Sequence, residues 1–181
     1  MLFYNKNNFF IFKKFIFISF YIYQMKIKLL SIGKTDDKNL QLLIENYQKR
    51  LKHYIKFELE IIPDIKNVKN LSESQQKEKE GELILRKISS TDVLILLDEK
   101  GKEFRSIAFS KFLQQKMNSG IKQLVFVIGG PYGFSETIYK KAHGKIALSK
   151  MTFSHQMIRL FIVEQIYRAF TILKNEPYHH E

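Results

Sequence analysis

The sequence predicts an α/β protein in which a parallel sheet is flanked by helices. Short apolar runs alternate along the chain with longer segments whose apolar residues recur at helical spacing. The runs DVLILL at 92–97 and QLVFVI at 123–128 are apolar at nearly every position, as in strands that are covered on both faces. Such strands, separated by helices, form parallel sheets. A chain of 181 residues fits one domain of this class.

The strands are expected at apolar runs that end in turn or breaker residues. KIKLLSIG ends in a glycine, and FELEII alternates in polarity and stops at Pro63, as strands do. DVLILL is followed by DEKG at 98–101, a sequence typical of a turn. The predicted strands cover residues 26–33, 57–62, 92–97, 123–128 and 145–149.

The helices are expected where apolar residues recur every three or four positions. Ser72 and Gln75 have the spacing of a capping box, and Gly120 stands just past the predicted end of another helix. A short helix is expected from Ser135. The predicted helices cover residues 37–53, 73–88, 106–118, a short stretch from 135, and 156–173.

The first 24 residues differ in composition from the rest and consist almost entirely of Phe, Ile, Tyr, Asn and Lys. Lys13 and Lys14 interrupt the apolar run and no small-residue cleavage site follows, which argues against a signal peptide. The apolar stretch 15–23 is shorter than the roughly 20 residues of a membrane-spanning helix. We interpret 1–24 as an extension, either a start-site artefact or disordered, and 25–181 as a single domain that does not interact with membranes.

The composition limits the chemistry. A net charge of +12 favours a polyanionic partner such as nucleic acid, although lysine-rich solubility in an AT-rich genome is an alternative. The absence of cysteine fits a reducing compartment, here the cytoplasm, and excludes disulfides, zinc–thiolate sites and a thiolate nucleophile. The five histidines lack the H-E-x-x-H spacing of a zinc site, so no metal is expected.

Apolar residues cover nearly every face of the last predicted helix. A helix that is apolar all round must be buried all round, and a domain of this size offers few such places. We therefore expect a homodimer packed on this helix; a central position within one chain is the alternative. The apolar residues are Met157, Ile158, Leu160, Phe161, Ile162, Val163, Ile166, Tyr167, Phe170, Ile172 and Leu173.

Two loops are candidates for a small-molecule pocket. GGPYGF at 129–134 follows a buried strand, and its glycines allow the backbone to approach a ligand. It matches neither a dinucleotide-binding fingerprint nor a P-loop, and a plain turn is the alternative. LSKMTFS at 148–154 is a second backbone-rich loop. Together with the end of the 92–97 strand, these loops suit a flat heterocycle such as adenine with a small charged arm.

Charged and aromatic residues follow these loops. His155 and Arg159 lie one turn apart at the start of the last helix. Glu164 and Arg168 repeat that spacing. A functional role and a purely structural ion pair are equally good interpretations of these two residues. The tail 178–181 follows Pro177, where few contacts with the core are expected; it can stack on a base and bind phosphate, or it can be a frayed end.

Several of these motifs occur together in one order: KIKLLSIGK, ENYQKR, KEKEGELIL, LDEKGK, FVIGGPYGF, LSKMTFSHQMIR, EQIYRAF and PYHHE. From residue 25 to the end, the chain resembles the RlmH family of ribosomal RNA methyltransferases, of the SPOUT class. The resemblance implies a trefoil knot in the C-terminal part of the parallel fold and a homodimer. It also implies S-adenosylmethionine as donor and N3 of a pseudouridine in large-subunit ribosomal RNA, on the ribosome, as acceptor.

The resemblance also implies roles for individual residues. Those facing the acceptor are His155, Arg159, Tyr178 and His179. His180 departs from the family, which often has Arg or Lys there. The absence of cysteine agrees with transfer to nitrogen or oxygen, since methylation of a pyrimidine at C5 commonly requires a thiolate. A SPOUT methyltransferase of transfer RNA and a non-catalytic ribosome assembly factor are the alternative functions. The implied donor-binding residues are Leu97, Gly129, Leu148, Ser149, Lys150, Met151, Thr152 and Phe153.

Overall fold

Five parallel strands form one sheet in the order β2-β1-β4-β3-β5. The structure is a computed structural model that describes residues 25–66 and 68–180. The parallel fold class predicted from the sequence is confirmed, and the alternating segment FELEII forms an edge strand. The strands are β1 (Lys26–Ile32), β2 (Lys56–Ile62), β3 (Val93–Glu103), β4 (Gln123–Ile128) and β5 (Gly144–Ala147).

Helices cover both faces of this sheet. The side chain of Asp37 accepts bonds from the first turn of α1, and Ser72 and Gln75 form the predicted capping box before α2. Gly120 lies just past α3 with φ +74°, a conformation that glycine adopts without a Cβ clash. The helices are α1 (Lys38–Leu51), α2 (Glu73–Leu85), α3 (Ser106–Asn118), α4 (Glu136–Lys141) and α5 (His155–Leu173), with a 3₁₀ turn at Val68–Asn70.

The two faces of the sheet carry separate apolar cores because successive side chains of a strand point to opposite sides. On β1, Ile27 and Leu29 face the core under α1, α3 and α5, whereas Leu30 and Ile32 face the core under α2 and α4. All four are at most 4% exposed. This double burial is the physical reason that β1, β3 and β4 show apolar runs rather than a clean alternation.

The prediction that the strand ends at the turn 98–101 is wrong. β3 continues to Glu103, and Leu97 and Lys102 both pair with Ile146 of β5, so the intervening residues bulge out. Lys100 donates its main-chain N–H to Asp98 Oδ1 at 2.7 Å, which stabilises the bulge. The DEKG sequence therefore does turn the chain locally, but the pairing with β5 resumes immediately afterwards.

Helix α5 packs against α1 and α3. Ile162, Val163 and Ile166 are completely buried against the sheet, whereas Leu160 and Phe161 are half-buried. A central position within one chain therefore accounts for one face of α5, and burial of the other face by a second copy stays a prediction. None of the helices in the described ranges is long and apolar enough to span a membrane.

Candidate functional site

A cavity of about 400 Å³ lies beyond the carboxyl ends of β3, β4 and β5. This edge is where ligands bind in open α/β sheets, and the volume lies within the usual range of small-molecule pockets. Apolar side chains from the three strand ends form its floor: Leu97, Ile128 and Ile146. The three segments proposed from the sequence, 129–134, 148–154 and the end of β3, therefore meet at one site.

The glycine loop after β4 is tightly folded upon itself. Gly133 has φ +80° and donates its N–H to the carbonyl of Gly130 at 3.0 Å. A Cβ at Gly129 would lie 3.1 Å from the ring of Phe134 and 3.2 Å from the carbonyl of Gly133. The absence of a side chain at Gly129 thus serves the packing of the loop itself, which in turn lines the cavity.

The second loop, after β5, forms the opposite wall. Ser149 Oγ accepts the main-chain N–H of Met151 at 3.0 Å, which fixes the turn. Lys150 is exposed and is not among the lining residues. The predicted donor residues that do line the cavity are Leu97, Gly129, Leu148, Ser149, Met151, Thr152 and Phe153.

The bulge of β3 contributes polar lining residues that the sequence analysis missed. Asp98, Glu99 and Lys100 all line the cavity, together with Tyr139 of α4. The hydroxyl of Tyr139 donates to Asp98 Oδ2 at 2.6 Å. Burial and this hydrogen bond raise the pKa of Tyr139 to about 12. The available signal was the polar DEKG directly after a buried strand, but a turn there predicts no particular side-chain contact.

His155 stands at the rim of the cavity, on the first turn of α5. Partial burial of its ring and the positive charge of Arg159 lower the pKa of His155, against the opposing effects of Asp64 and of a hydrogen bond to the main chain of Gly129. A neutral imidazole that donates one N–H to a carbonyl presents its other nitrogen as an acceptor. His155 is therefore the predicted acceptor-facing residue that the structure brings to the cavity.

Arg159 lies one turn further along α5 and does not line the cavity. It is 1% exposed. Its Nε donates to Ser31 Oγ at 2.7 Å, its Nη1 to Thr35 Oγ1 at 2.7 Å and its Nη2 to the carbonyl of Ile32 at 2.8 Å. Burial lowers the pKa of the guanidinium, although arginine stays charged in proteins. These contacts join the start of α5 to the end of β1.

The tail is docked on α5, so the expectation that it makes few core contacts is wrong for Tyr178. Its ring packs edge-on against Tyr167 at 4.8 Å between centroids, and its hydroxyl lies 3.0 Å from Glu164 Oε1. His179 Nδ1 lies 3.5 Å from Nη1 of Arg168. The physical reason is local: the partners 164, 167 and 168 share one face of the helix.

The structure therefore separates the predicted acceptor-facing residues into two groups. His155 is at the amino end of α5, whereas Tyr178 and His179 contact positions nine to thirteen residues further along the helix. At a rise of 1.5 Å per residue this is about 14–20 Å along the axis. Within one chain, the tail residues do not reach the cavity that His155 faces.

Comparison with known proteins decides the family. The family described as "Predicted SPOUT methyltransferase" matches residues 25–179. The chain belongs to the SPOUT methyltransferase family. This confirms the family assigned from the sequence motifs, and the match covers all five strands and all five helices described above.

Relatives of this SPOUT methyltransferase align along their whole lengths. The "Ribosomal RNA large subunit methyltransferase H" of Flavobacterium johnsoniae is 76% identical over 157 residues, which are 87% of this chain and 100% of that protein. Proteins of the same name from Parabacteroides distasonis and Bacteroides thetaiotaomicron are 68% and 58% identical over the same shares. The trefoil knot implied by the resemblance stays a prediction.

The family of this SPOUT methyltransferase implies a methyl donor, for which the cavity is the candidate site. Its floor is apolar, and its walls are backbone-rich loops. Asp98 and Glu99 add negative charge at the bulge. Among residues 25–66 and 68–180, no group of three or more metal-ligating side chains occurs.

Proposed function

We propose that this enzyme transfers a methyl group from S-adenosylmethionine to N3 of a pseudouridine in large-subunit ribosomal RNA, on the assembled ribosome in the cytoplasm. The observation that carries the proposal is the convergence of three strand ends on one cavity with His155 at its rim. The name of relatives that align end to end at up to 76% identity, ribosomal RNA large subunit methyltransferase H, supports ribosomal RNA as the substrate. The net charge of +12 suits a polyanionic substrate.

The donor fits between the two loops. When bound, S-adenosylmethionine supplies an electrophilic methyl group on a sulfonium. Gly129 and the loop 148–153 would hold its base through main-chain groups, and the apolar floor at Leu97, Ile128 and Ile146 would exclude water from beneath it. Asp98 and Glu99 would face the cationic end. Alignment of the methyl carbon with the acceptor nitrogen accounts for much of such an acceleration.

The acceptor nitrogen must lose a proton. The ring nitrogen of His155 that does not face Gly129 is the candidate to take it, because the lowered pKa keeps His155 neutral and able to accept. Arg159 is a less suitable cation for the developing charge, since all three of its hydrogen bonds go to β1 and the segment after it. We assign Arg159 instead to holding α5, and with it His155, against the sheet.

A homodimer would complete this site. Tyr132 and Met151 line the cavity and are nevertheless 47% and 73% exposed, which leaves an apolar rim uncovered. Phe161, on the half-buried face of α5, packs against Phe153 of the cavity wall. A second copy packed on this face would cover the rim, and its Tyr178 and His179 would approach a cavity that they cannot reach in their own chain.

Labelled S-adenosylmethionine tests the proposal with ribosomes from cells that lack the enzyme. Incorporation into large-subunit RNA, mapped by mass spectrometry to N3 of one pseudouridine, is the expected result.

Thr152→Arg adds bulk and charge at the cavity wall and should weaken donor binding roughly tenfold or more, about 1.4 kcal/mol. Thr91→Arg makes the same change at the opposite edge of the sheet and should bind donor normally. Methylation of transfer RNA alone, or no donor binding, would refute the proposal.

A further inference from the structure

A buried carboxylate lies directly behind the glycine loop. Glu80 of α2 is 3% exposed, and its Oε2 lies 2.2 Å from the position that a Cβ on Gly130 would occupy. The side chain therefore packs against the backbone of Gly130 on the side of the loop away from the cavity. Gly130 lines the cavity, whereas Glu80 does not.

This carboxylate lacks the partners that an ionised group needs. Oε1 accepts a hydrogen bond from Gln76 Nε2 at 2.8 Å, but Oε2 has no hydrogen-bond partner among the described residues. A buried charge without a counter-ion is costly. An oxygen that is buried without a donor is the natural position for a proton, because a carboxylic acid O–H donates rather than accepts.

The surroundings of Glu80 favour the neutral acid. Burial raises the pKa of Glu80, the hydrogen bond from Gln76 opposes this, and the negative charge of Asp64, before α2, raises it further. Gly130 of the loop lies beside Glu80, and Ser135 and Ile138 lie beside the adjacent Gly81 at the contact between α2 and α4. None of these three residues titrates.

We propose that Glu80 is a positioning residue for the donor loop, held as a neutral carboxylic acid that supports the main chain of Gly130 from behind. The inference rests on the proposed function only in naming S-adenosylmethionine as the ligand of the loop. A neutral Oε2 packs against the backbone of Gly130 without a charge to compensate, whereas an ionised carboxylate would place an unpaired buried charge against it. Ionisation of Glu80 therefore displaces the wall of the cavity and weakens donor binding.

The test combines a titration of the wild-type enzyme with a matched pair of variants. Carbon-13 NMR should show the Glu80 carboxyl titrating well above the usual glutamate range near 4.3. The amide signals of Gly130 and Gly133 should shift with the same midpoint. Calorimetry should show donor affinity falling as the pH rises through that midpoint, by up to about tenfold per pH unit, the limit for one required proton.

Glu80→Gln keeps the shape and the neutral charge, so it should bind donor within about twofold of the wild type below the midpoint. Its glycine amides should no longer shift, and the loss of affinity at high pH should disappear. Glu82→Gln changes an exposed glutamate on the same helix. In this variant, donor affinity and the glycine amide signals should depend on pH as they do in the wild type. Any titration of the donor itself is common to the three proteins.

A Glu80 carboxyl that titrates within the ordinary range overturns the proposal, as does a folded Glu80→Gln that loses donor binding by more than about tenfold. The latter result would make the ionised carboxylate a ligand for a cation. If Glu80→Gln does not fold, the wild-type carboxyl and glycine titrations decide alone. A wild-type enzyme that binds no donor refutes the proposed function, while those two titrations still decide the role of Glu80.

Discussion

The hydroxyl of Tyr178 donates to Glu164 Oε1 at 3.0 Å, and the same oxygen accepts Nη2 of Arg168 at 2.7 Å. The Arg168 guanidinium also lies over the Tyr178 ring, 4.7 Å from its centroid. One carboxylate, one guanidinium and one phenol thus form a closed group that ties the tail to α5. The ion pair that the spacing of Glu164 and Arg168 predicts is therefore formed.

Tyr178→Phe should lower the free energy of unfolding by about 1–2 kcal/mol, because it removes a hydrogen bond to a charged group and a second one to Tyr47 at 3.1 Å. Burial and these two partners raise the pKa of Tyr178, so the hydroxyl is neutral at physiological pH. Urea denaturation measures the change. Tyr47→Phe is the matched control and should cost less, since Tyr178 keeps its bond to Glu164. Equal losses in the two variants would contradict this network.

Arg159→Lys should destabilise the fold by about 2–4 kcal/mol. An ammonium cannot reproduce the three directed bonds to Ser31, Thr35 and Ile32, and at least one buried acceptor would lose its donor. Denaturant midpoints report the loss. Arg86→Lys, at an exposed site with a 3.9 Å ion pair, should change stability by less than about 0.5 kcal/mol. Lost turnover with unchanged stability would instead place Arg159 in contact with the acceptor.

The sequence predicted what depends on local pattern. The parallel sheet followed from apolar runs such as β4, and the capping box at Ser72 and Gln75 formed as its spacing indicated. The contact between Asp98 at the bulge and Tyr139 was not predictable, because the two residues are 41 positions apart in sequence. The hydrogen bond between the hydroxyls of Tyr178 and Tyr47 likewise joins residues 131 positions apart, whereas the contacts of Tyr178 with α5 are local. Cavity-lining residues in the loops after β4 and β5 were predicted, whereas Asp98, Glu99 and Tyr139 were not.

His155→Gln should make the free energy of unfolding fall less steeply as the pH is lowered below neutral. The folded pKa of His155 lies below its ordinary value, so the unfolded chain takes up a proton first as the pH falls below about 6.5. The contribution of His155 is fully present above that pH and is lost as the pH falls through the folded pKa. Between about pH 7 and 5.5, the wild type should therefore lose more free energy of unfolding than the variant. Parallel pH curves would refute this prediction.

The same variant tests the role of His155 in transfer. If its free nitrogen accepts the N3 proton, turnover on ribosomes should fall by about 10²–10⁴-fold. Donor affinity, measured by calorimetry at neutral pH, should change much less, because the floor and the two loops remain. A loss of donor affinity as large as the loss of turnover would make His155 part of the donor site.

Phe161→Glu and Phe170→Glu distinguish residues at the proposed dimer contact from residues in the core of one chain. Phe161 is half-buried beside Phe153, at 4.9 Å between ring centroids, so a charge there should leave the chain folded but unable to pack against a second copy. Phe170 is 1% exposed within its own chain, so its substitution should unfold the protein at a cost of several kcal/mol. Sedimentation gives the mass, and circular dichroism the fold. Leu83→Glu, a half-buried position on α2 behind the sheet, should remain dimeric. A native dimer of Phe161→Glu would exclude this face of α5 as the contact.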